Sequence, residues 1–193
     1  YLWMSTAAGL ARFDGAEFVT LTTFDGLPSN DVSCHLFDAE NRLWIGTMGS
    51  GIAQIDEGCA TLRYTRANGL ADDKVTCLAM DAAGRLWIGT WNGLSCIEGE
   101  QVKTYTASDG LPDAHVLSLC VESPEHVWVG TMGGAVRIGP GGVEKNSTNG
   151  LPADAIWGIR LDYAGRVWLA TDTYGAICLD GGRTNALTTE HGL

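Results

Sequence analysis

Positive charge is scarce in this chain. Twelve Lys and Arg stand against 23 Asp and Glu in 193 residues, giving a formal net charge of -11 and an isoelectric point near 4.6. Such a chain repels a phosphate backbone, and no local Lys/Arg cluster offsets the repulsion, so nucleic acid is not expected as a partner. Long apolar runs are also missing. None approaches the roughly 18 to 20 residues of a membrane-spanning helix, and the opening YLWMSTAAGLARFDG lacks the basic flank of a signal peptide, so no membrane contact is expected of this segment itself. The six cysteines form no C-x-x-C pair, which argues against structural zinc and a dithiol redox site; most read as small buried hydrophobes rather than disulfides. His35, His115, His126 and His191 sit at unrelated positions with no visible nucleophile or metal partner. The Ala71–Asp73 stretch supplies too few oxygens for calcium, so neither metal, cofactor nor catalytic residue is expected.

What is present is a repeat. With 45% apolar and 18% charged residues the chain is a folded one, and RLWIGT occurs twice, at Arg42 and at Arg85. Aligned on tryptophan, LWMST, LWIGT, LWIGT, VWVGT and VWLAT place Trp3, Trp44, Trp87, Trp128 and Trp168 at intervals of 41, 43, 41 and 40. A second marker keeps the same pitch: FDGLP, ANGLA, SDGLP, TNGLP and EHGL put Gly26, Gly69, Gly110, Gly150 and Gly192 at intervals of 43, 41, 40 and 42. Two markers in register near 40 residues indicate propeller blades or a helical solenoid.

The units decide between these. No window shows helical periodicity, and short runs rich in Val, Ile, Leu, Thr, Trp and Tyr are separated by Gly, Asp, Asn and Pro. One unit reads as four strands: KVTCLAM from Lys74, RLWIGT from Arg85, LSCIEG from Leu94 and VKTYTA from Val102. Four-stranded units that bury both faces only by stacking are the blades of an all-β propeller. Side chains alternate across a strand, so Trp87 and Gly89 face one neighbouring blade and Leu86 and Ile88 the other. The residue two after each Trp is small (Ser5, Gly46, Gly89, Gly130, Ala170), leaving room for the adjacent sheet, and the five tryptophans are structural, all expected on second strands buried between adjacent sheets. Asp38, Asp81 and Asp162 are expected to cap hairpins.

The repeats fall at about 1–27, 28–70, 71–111, 112–151 and 152–193. The chain opens on a second strand and ends where another first strand would start. The expectation is therefore about five blades, the first lacking its inner strand, cut from a larger propeller of seven-bladed type.

With D-x-x-G-R-L-W-I-G-T and then G-L-P before the next strand, the units resemble the two-component regulator propeller repeat. DAAGRLWIGTWNGL from Asp81 matches throughout, DAENRLWIGT from Asp38 and DYAGRVWLAT from Asp162 match well, and ESPEHVWVGT from Glu122 departs by losing the Asp and Gly of its turn. The resemblance implies a non-catalytic sensing region of a bacterial signal-transduction protein, periplasmic or otherwise extracytoplasmic, ahead of an output domain in a longer chain. It implies a glycan or other small polar ligand. A structural or protein-binding scaffold, a propeller lyase or hydrolase, and a homodimer remain open alternatives.

In a propeller the first strand of each blade lines the channel, and the strand two-to-three turns share a face with the blade connections. These segments differ most among the copies. The turns carry Met48, Trp91, Met132 and Tyr174; the connections carry Asn30, Asp31, Asp72, Asp73, Asp113, His115 and Asp154. An aromatic ring stacks on the apolar face of a sugar while Asp and Asn accept its hydroxyl protons, which singles out Trp91, Tyr174, Asp72 and Asp113, with Asp73, His115, Asn30 and Asp154 beside them. Trp157, where other units have Ser33, Thr76 and Leu117, reads as a channel constriction or as packing.

Overall fold

A computed structural model of the chain describes residues 1–56, 59–144, 151, 153–181 and 183–188. The markers at Gly150 and Gly192, and His191, lie outside these residues.

The described strands form five antiparallel meanders in chain order, which are propeller blades. Blade 1 holds β1 (Leu2–Thr6), β2 (Gly9–Phe13) and β3 (Phe18–Leu21). Blade 2 holds β4 (Val32–Phe37), β5 (Leu43–Thr47), β6 (Ile52–Asp56) and β7 (Cys59–Tyr64). Blade 3 holds β8 (Val75–Met80), β9 (Leu86–Thr90), β10 (Gly93–Glu98) and β11 (Gln101–Tyr105). Blade 4 holds β12 (Val116–Ser123), β13 (His126–Thr131), β14 (Gly134–Gly139) and β15 (Gly142–Glu144), and blade 5 holds β16 (Ile156–Leu161), β17 (Val167–Thr171), β18 (Ala176–Asp180) and β19 (Arg183–Leu187). The three-stranded first sheet and the strand order of the third follow the sequence expectation. The expected fourth strand from Val102 stops at Tyr105, because Thr106 and Ala107 enter a turn.

The core lies between sheets. Trp87, Leu94 and Tyr105 of blade 3 pack on Val116, Val127 and Val129 of blade 4, while Leu86 and Ile88 pack on Trp44 and Ile52 of blade 2. Trp44, Trp87 and Trp128 thus face the following blade, and the Leu/Ile neighbours of Trp87 face the preceding one. Trp44, Trp87 and Trp128 are buried; Trp3 and Trp168, on the two end blades, are only half-buried, which corrects the expectation that all five are enclosed. The small residue in the motif is a steric requirement. A Cβ on Gly46 would sit 2.6 Å from Val75 Cγ1, on Gly89 2.7 Å from Val116 Cγ1, and on Gly130 2.9 Å from Ile156 Cγ2.

Hydrogen bonds account for the remaining letters. Asp81 Oδ1 accepts from the backbone of Ala83 and Arg85, each at 3.0 Å, while Oδ2 accepts from Arg85 Nε at 2.6 Å and Trp87 Nε1 at 3.0 Å. Asp38 holds Arg42 and Trp44 in the same way, and Asp162 holds Arg166 and Trp168. The carboxylate is therefore a latch that closes the hairpin and satisfies a buried indole, a larger role than the turn cap expected. At the closing position Gly84 (φ 81°) and Gly165 (φ 77°) take the left-handed backbone, and Asn41 (φ 62°) does so in blade 2. The motif's Thr caps the next hairpin: Thr90 Oγ1 donates to the Gly93 carbonyl at 2.6 Å and accepts from Asn92 N–H at 3.2 Å.

Blade 4 lacks this latch. Pairing continues to Ser123 opposite His126, the turn shrinks to Pro124–Glu125, and Glu122 pairs with Arg137 Nε at 2.5 Å. Trp128 Nε1 is then the buried side-chain nitrogen left without a partner among the described residues.

The second marker is a capped 3-10 turn joining one blade to the next. The turns Thr23–Asp25, Arg66–Asn68 and Ala107–Asp109 follow Thr22, Thr65 and Thr106, whose N–H groups bond Asp25, Asn68 and Asp109. Gly26, Gly69 and Gly110 close them at φ near 100° to 112°, and Leu27, Leu70 and Leu111 plug the core behind them.

The six cysteines are free thiols. Cys34 and Cys77 pack against Gly46 and Gly89, and burial raises their pKa values to about 11 and about 12. Cys59 is exposed, while the other five are partly or fully buried.

Candidate functional site

Backbone hydrogen bonds fasten the strand two-to-three turns to the blade connections, so both belong to one face. Met48, Trp91 and Met132 donate to the carbonyls of Asp31, Lys74 and His115 in their own blades. Gly51 and Gly93 donate to Asp73 and Ala114 in the following connections, and Asp172 N–H reaches the Ala155 carbonyl at 3.1 Å. The proposed site residues therefore share a surface, opposite the Asp–Arg–Trp latches.

That surface divides into two clusters. Across blades 3 and 4, the Trp91 ring lies 5.1 Å from His115, with Lys74 Nζ 4.0 Å from its centroid. Asp113 and Asp72 border the same cluster, each using Oδ1 to accept a backbone N–H two residues on, from His115 at 2.7 Å and Lys74 at 2.9 Å. Trp91 is exposed but already carries a cation and an aromatic neighbour. In blade 5, Asp154 Oδ2 accepts from both the N–H and the hydroxyl of Thr173 at 2.8 Å, and those bonds lower its pKa. Tyr174, in the same turn, is exposed.

Asn30 and Asp73 serve the scaffold. Asn30 Oδ1 accepts from Thr23 N–H at 2.7 Å, and Asp73 Oδ1 from Arg66 N–H at 2.8 Å, each fastening a 3-10 turn to the next inner strand.

Backbone register adds a feature that spacing alone does not reveal. All four inner strands β4, β8, β12 and β16 slip by one residue near their starts, between Val32/Cys34, Val75/Cys77, Val116/Ser118 and Ile156/Gly158. The bulged residues are Ser33, Thr76, Leu117 and Trp157, the set compared in the sequence. Thr76 Oγ1 bridges to the Val116 carbonyl of the next blade at 2.7 Å. Trp157 is 55% exposed, and its Nε1 donates to Asp172 Oδ1 at 3.0 Å.

Clefts occur elsewhere as well. One of about 470 Å³ between blades 1 and 2 is lined by Trp3, Arg12, Leu21, Phe37 and Asp56 among others, and one of about 490 Å³ lies between the latch hairpins of blades 2 and 3. Among the described residues no cluster of three His, Cys, Asp or Glu is arranged to hold a metal ion, and no helix is long and apolar enough to cross a membrane.

A scaffold of stacked antiparallel meanders, four of them four-stranded, with one variable face defines a repeat β-propeller. Residues 26–49 and 69–92, each running from the connecting turn through the latch and the Trp strand, match the model of the two component regulator propeller family. No curated protein matches the chain. Among solved structures it is similar to an extracellular domain from B. thetaiotaomicron described as belonging to a hybrid two component system, with 25% identity and a TM-score of 0.80 over 99% of this chain and 27% of that one. A second such domain from the same organism gives 21% identity and a TM-score of 0.79 over 97% of this chain and 28% of that one. The chain thus spans about a quarter of the length of these two structures. The virginiamycin B lyase of Staphylococcus aureus shares the fold at 18% identity and a TM-score of 0.67, over 81% of this chain and 55% of that one.

Proposed function

We propose that this chain is a non-catalytic sensing propeller of an extracytoplasmic signalling protein, and that its variable face takes a saccharide or similar small polar ligand. The observation that carries this reading is the segregation of the repeat. Residues shared among blades are spent on latches, caps and inter-sheet packing, while exposed Trp91, Met132, Trp157 and Tyr174 gather with Asp72, Asp113 and Asp154 on the face where the blades disagree. The likeness to extracellular domains of two component systems supports an extracytoplasmic place and signalling domains as partners. The test is a glycan array followed by calorimetry and product analysis. A sensor binds a saccharide and leaves it unchanged; turnover supports the lyase-like alternative, and binding to protein alone supports a scaffold.

A further inference from the structure

We infer that Trp157 is the stacking platform of this face and that the sugar it takes is uncharged. The inference rests on the saccharide reading above and names both the residue and the ligand class.

Trp157 occupies the bulge of inner strand β16, the position at which the preceding blades carry Ser33, Thr76 and Leu117. A bulged residue is released from ladder pairing and re-aimed, which is how a strand buried between two sheets presents a large ring to solvent. Just over half of the Trp157 surface is accessible. An exposed indole would ordinarily rotate, but here its N–H is anchored to Asp172 Oδ1 at 3.0 Å, and Asp172 N–H is anchored in turn to the Ala155 carbonyl. The turn bearing Asp172 is held from its other side by Asp154 through Thr173. The ring is thus oriented before any ligand arrives, which lowers the ordering cost of binding. Among the described residues no aromatic ring or cation stacks on Trp157, whereas Trp91 already carries Lys74 at 4.0 Å and His115 at 5.1 Å.

The charge near the platform selects the ligand. Asp154 and Asp172 flank Trp157, whereas Lys74 lies with the blade 3–4 cluster. A carboxylated or sulfated sugar would bring like charge to within a Debye length of two carboxylates. An uncharged pyranose presents an apolar face to the indole and hydroxyl donors to the oxygens of Asp154. Asp172 acts as a positioning residue.

The test is calorimetric titration of the full chain with uncharged hexasaccharides (cellohexaose, mannohexaose, xylohexaose) and with hexagalacturonate. An uncharged hexasaccharide should bind, and Trp157→Ala should weaken it about tenfold with an unchanged unfolding midpoint, while Trp157→Phe retains part of the affinity. Asp172→Ala should weaken binding and lower the fluorescence anisotropy of Trp157, measured as the difference from the Trp157→Phe protein; Asp172→Asn, which keeps an acceptor for the indole N–H, should restore both. Binding that survives Trp157→Ala within twofold overturns the platform and leaves the sensor reading standing. Preference for hexagalacturonate overturns the uncharged class. Absence of binding to every saccharide overturns the saccharide reading itself, and this inference with it.

Discussion

Asp81→Ala removes four hydrogen bonds in one step. The backbone donors of Ala83 and Arg85 lie in a surface hairpin, and the Arg85 side chain is 22% exposed, so these groups regain water and each loss is limited to the net value of about 0.5–1.5 kcal/mol or less. Trp87 Nε1 has no such recourse. Its residue is 4% exposed and packed against blade 4, and an orphaned buried donor costs about 1–3 kcal/mol. The expected destabilisation is about 2–4 kcal/mol, read as a lowered urea midpoint at constant slope and, in a chain of this size, a fall in Tm of roughly 5 to 15 °C. Glu122→Ala is the internal comparison. Trp128 Nε1 is already unpartnered, and what is lost is a partly exposed pairing with Arg137, worth about 1 kcal/mol or less. Equal shifts for Asp81→Ala and Glu122→Ala would refute the latch.

Four further outcomes follow from the same structure. Burial raises the Asp38 and Asp81 pKa values, but hydrogen bonds from Trp and Arg outweigh it, and Asp162, bonded first by Trp168, is lowered further. A depressed folded pKa gives stability that is fully present above the unfolded value near about 3.9 and is lost as pH falls through the folded value. Tm should hold from pH 7 to about 4.5 and drop below about 4, with Asp81→Asn flattening the acid limb; a decline already between pH 7 and 5 would contradict this. Gly89→Ala should cost about 1–3 kcal/mol in chemical denaturation because its Cβ meets Val116, whereas Ala170→Gly, at an exposed position, should change little. Glu122→Asp combined with His126→Arg should rebuild the missing latch and raise the unfolding free energy by about 1 kcal/mol, read as a higher urea midpoint at constant slope. Iodoacetamide at pH 8 should label Cys59 quickly and Cys34 and Cys77 slowly, as checked by mass spectrometry, since burial holds the latter two thiols protonated.

Much of the fold was legible because blade pitch, strand alternation and the small residue after Trp are one-dimensional properties that survive in the letters. The T-x-x-[DN]-G box at Thr22, Thr65 and Thr106 was equally visible as a capping signal, yet it reads as a generic turn until its Gly is seen to close a 3-10 turn over Leu27, Leu70 and Leu111. The latch was half legible. D-x-x-x-R-x-W is written in the chain, but only the register places the carboxylate against the indole two residues beyond the Arg. The site was less legible, since its contacts join residues far apart in sequence. Spacing marks Trp91 as an exposed turn aromatic without showing Lys74 and His115 against it, and it marks Trp157 as odd without showing a bulge or an anchor at Asp172. Asn30 and Asp73 resemble ligand-binding side chains in composition, while their oxygens fasten turns seven residues away.

The central claim is that shared positions build the scaffold while divergent positions bind. Calorimetric titration of a bound hexasaccharide into Asp81→Ala and Trp157→Ala, alongside their melting curves, tests it most directly. The account predicts a lowered Tm with unchanged Kd for Asp81→Ala, and an unchanged Tm with about tenfold weaker Kd for Trp157→Ala. Loss of affinity in the first with none in the second would contradict it.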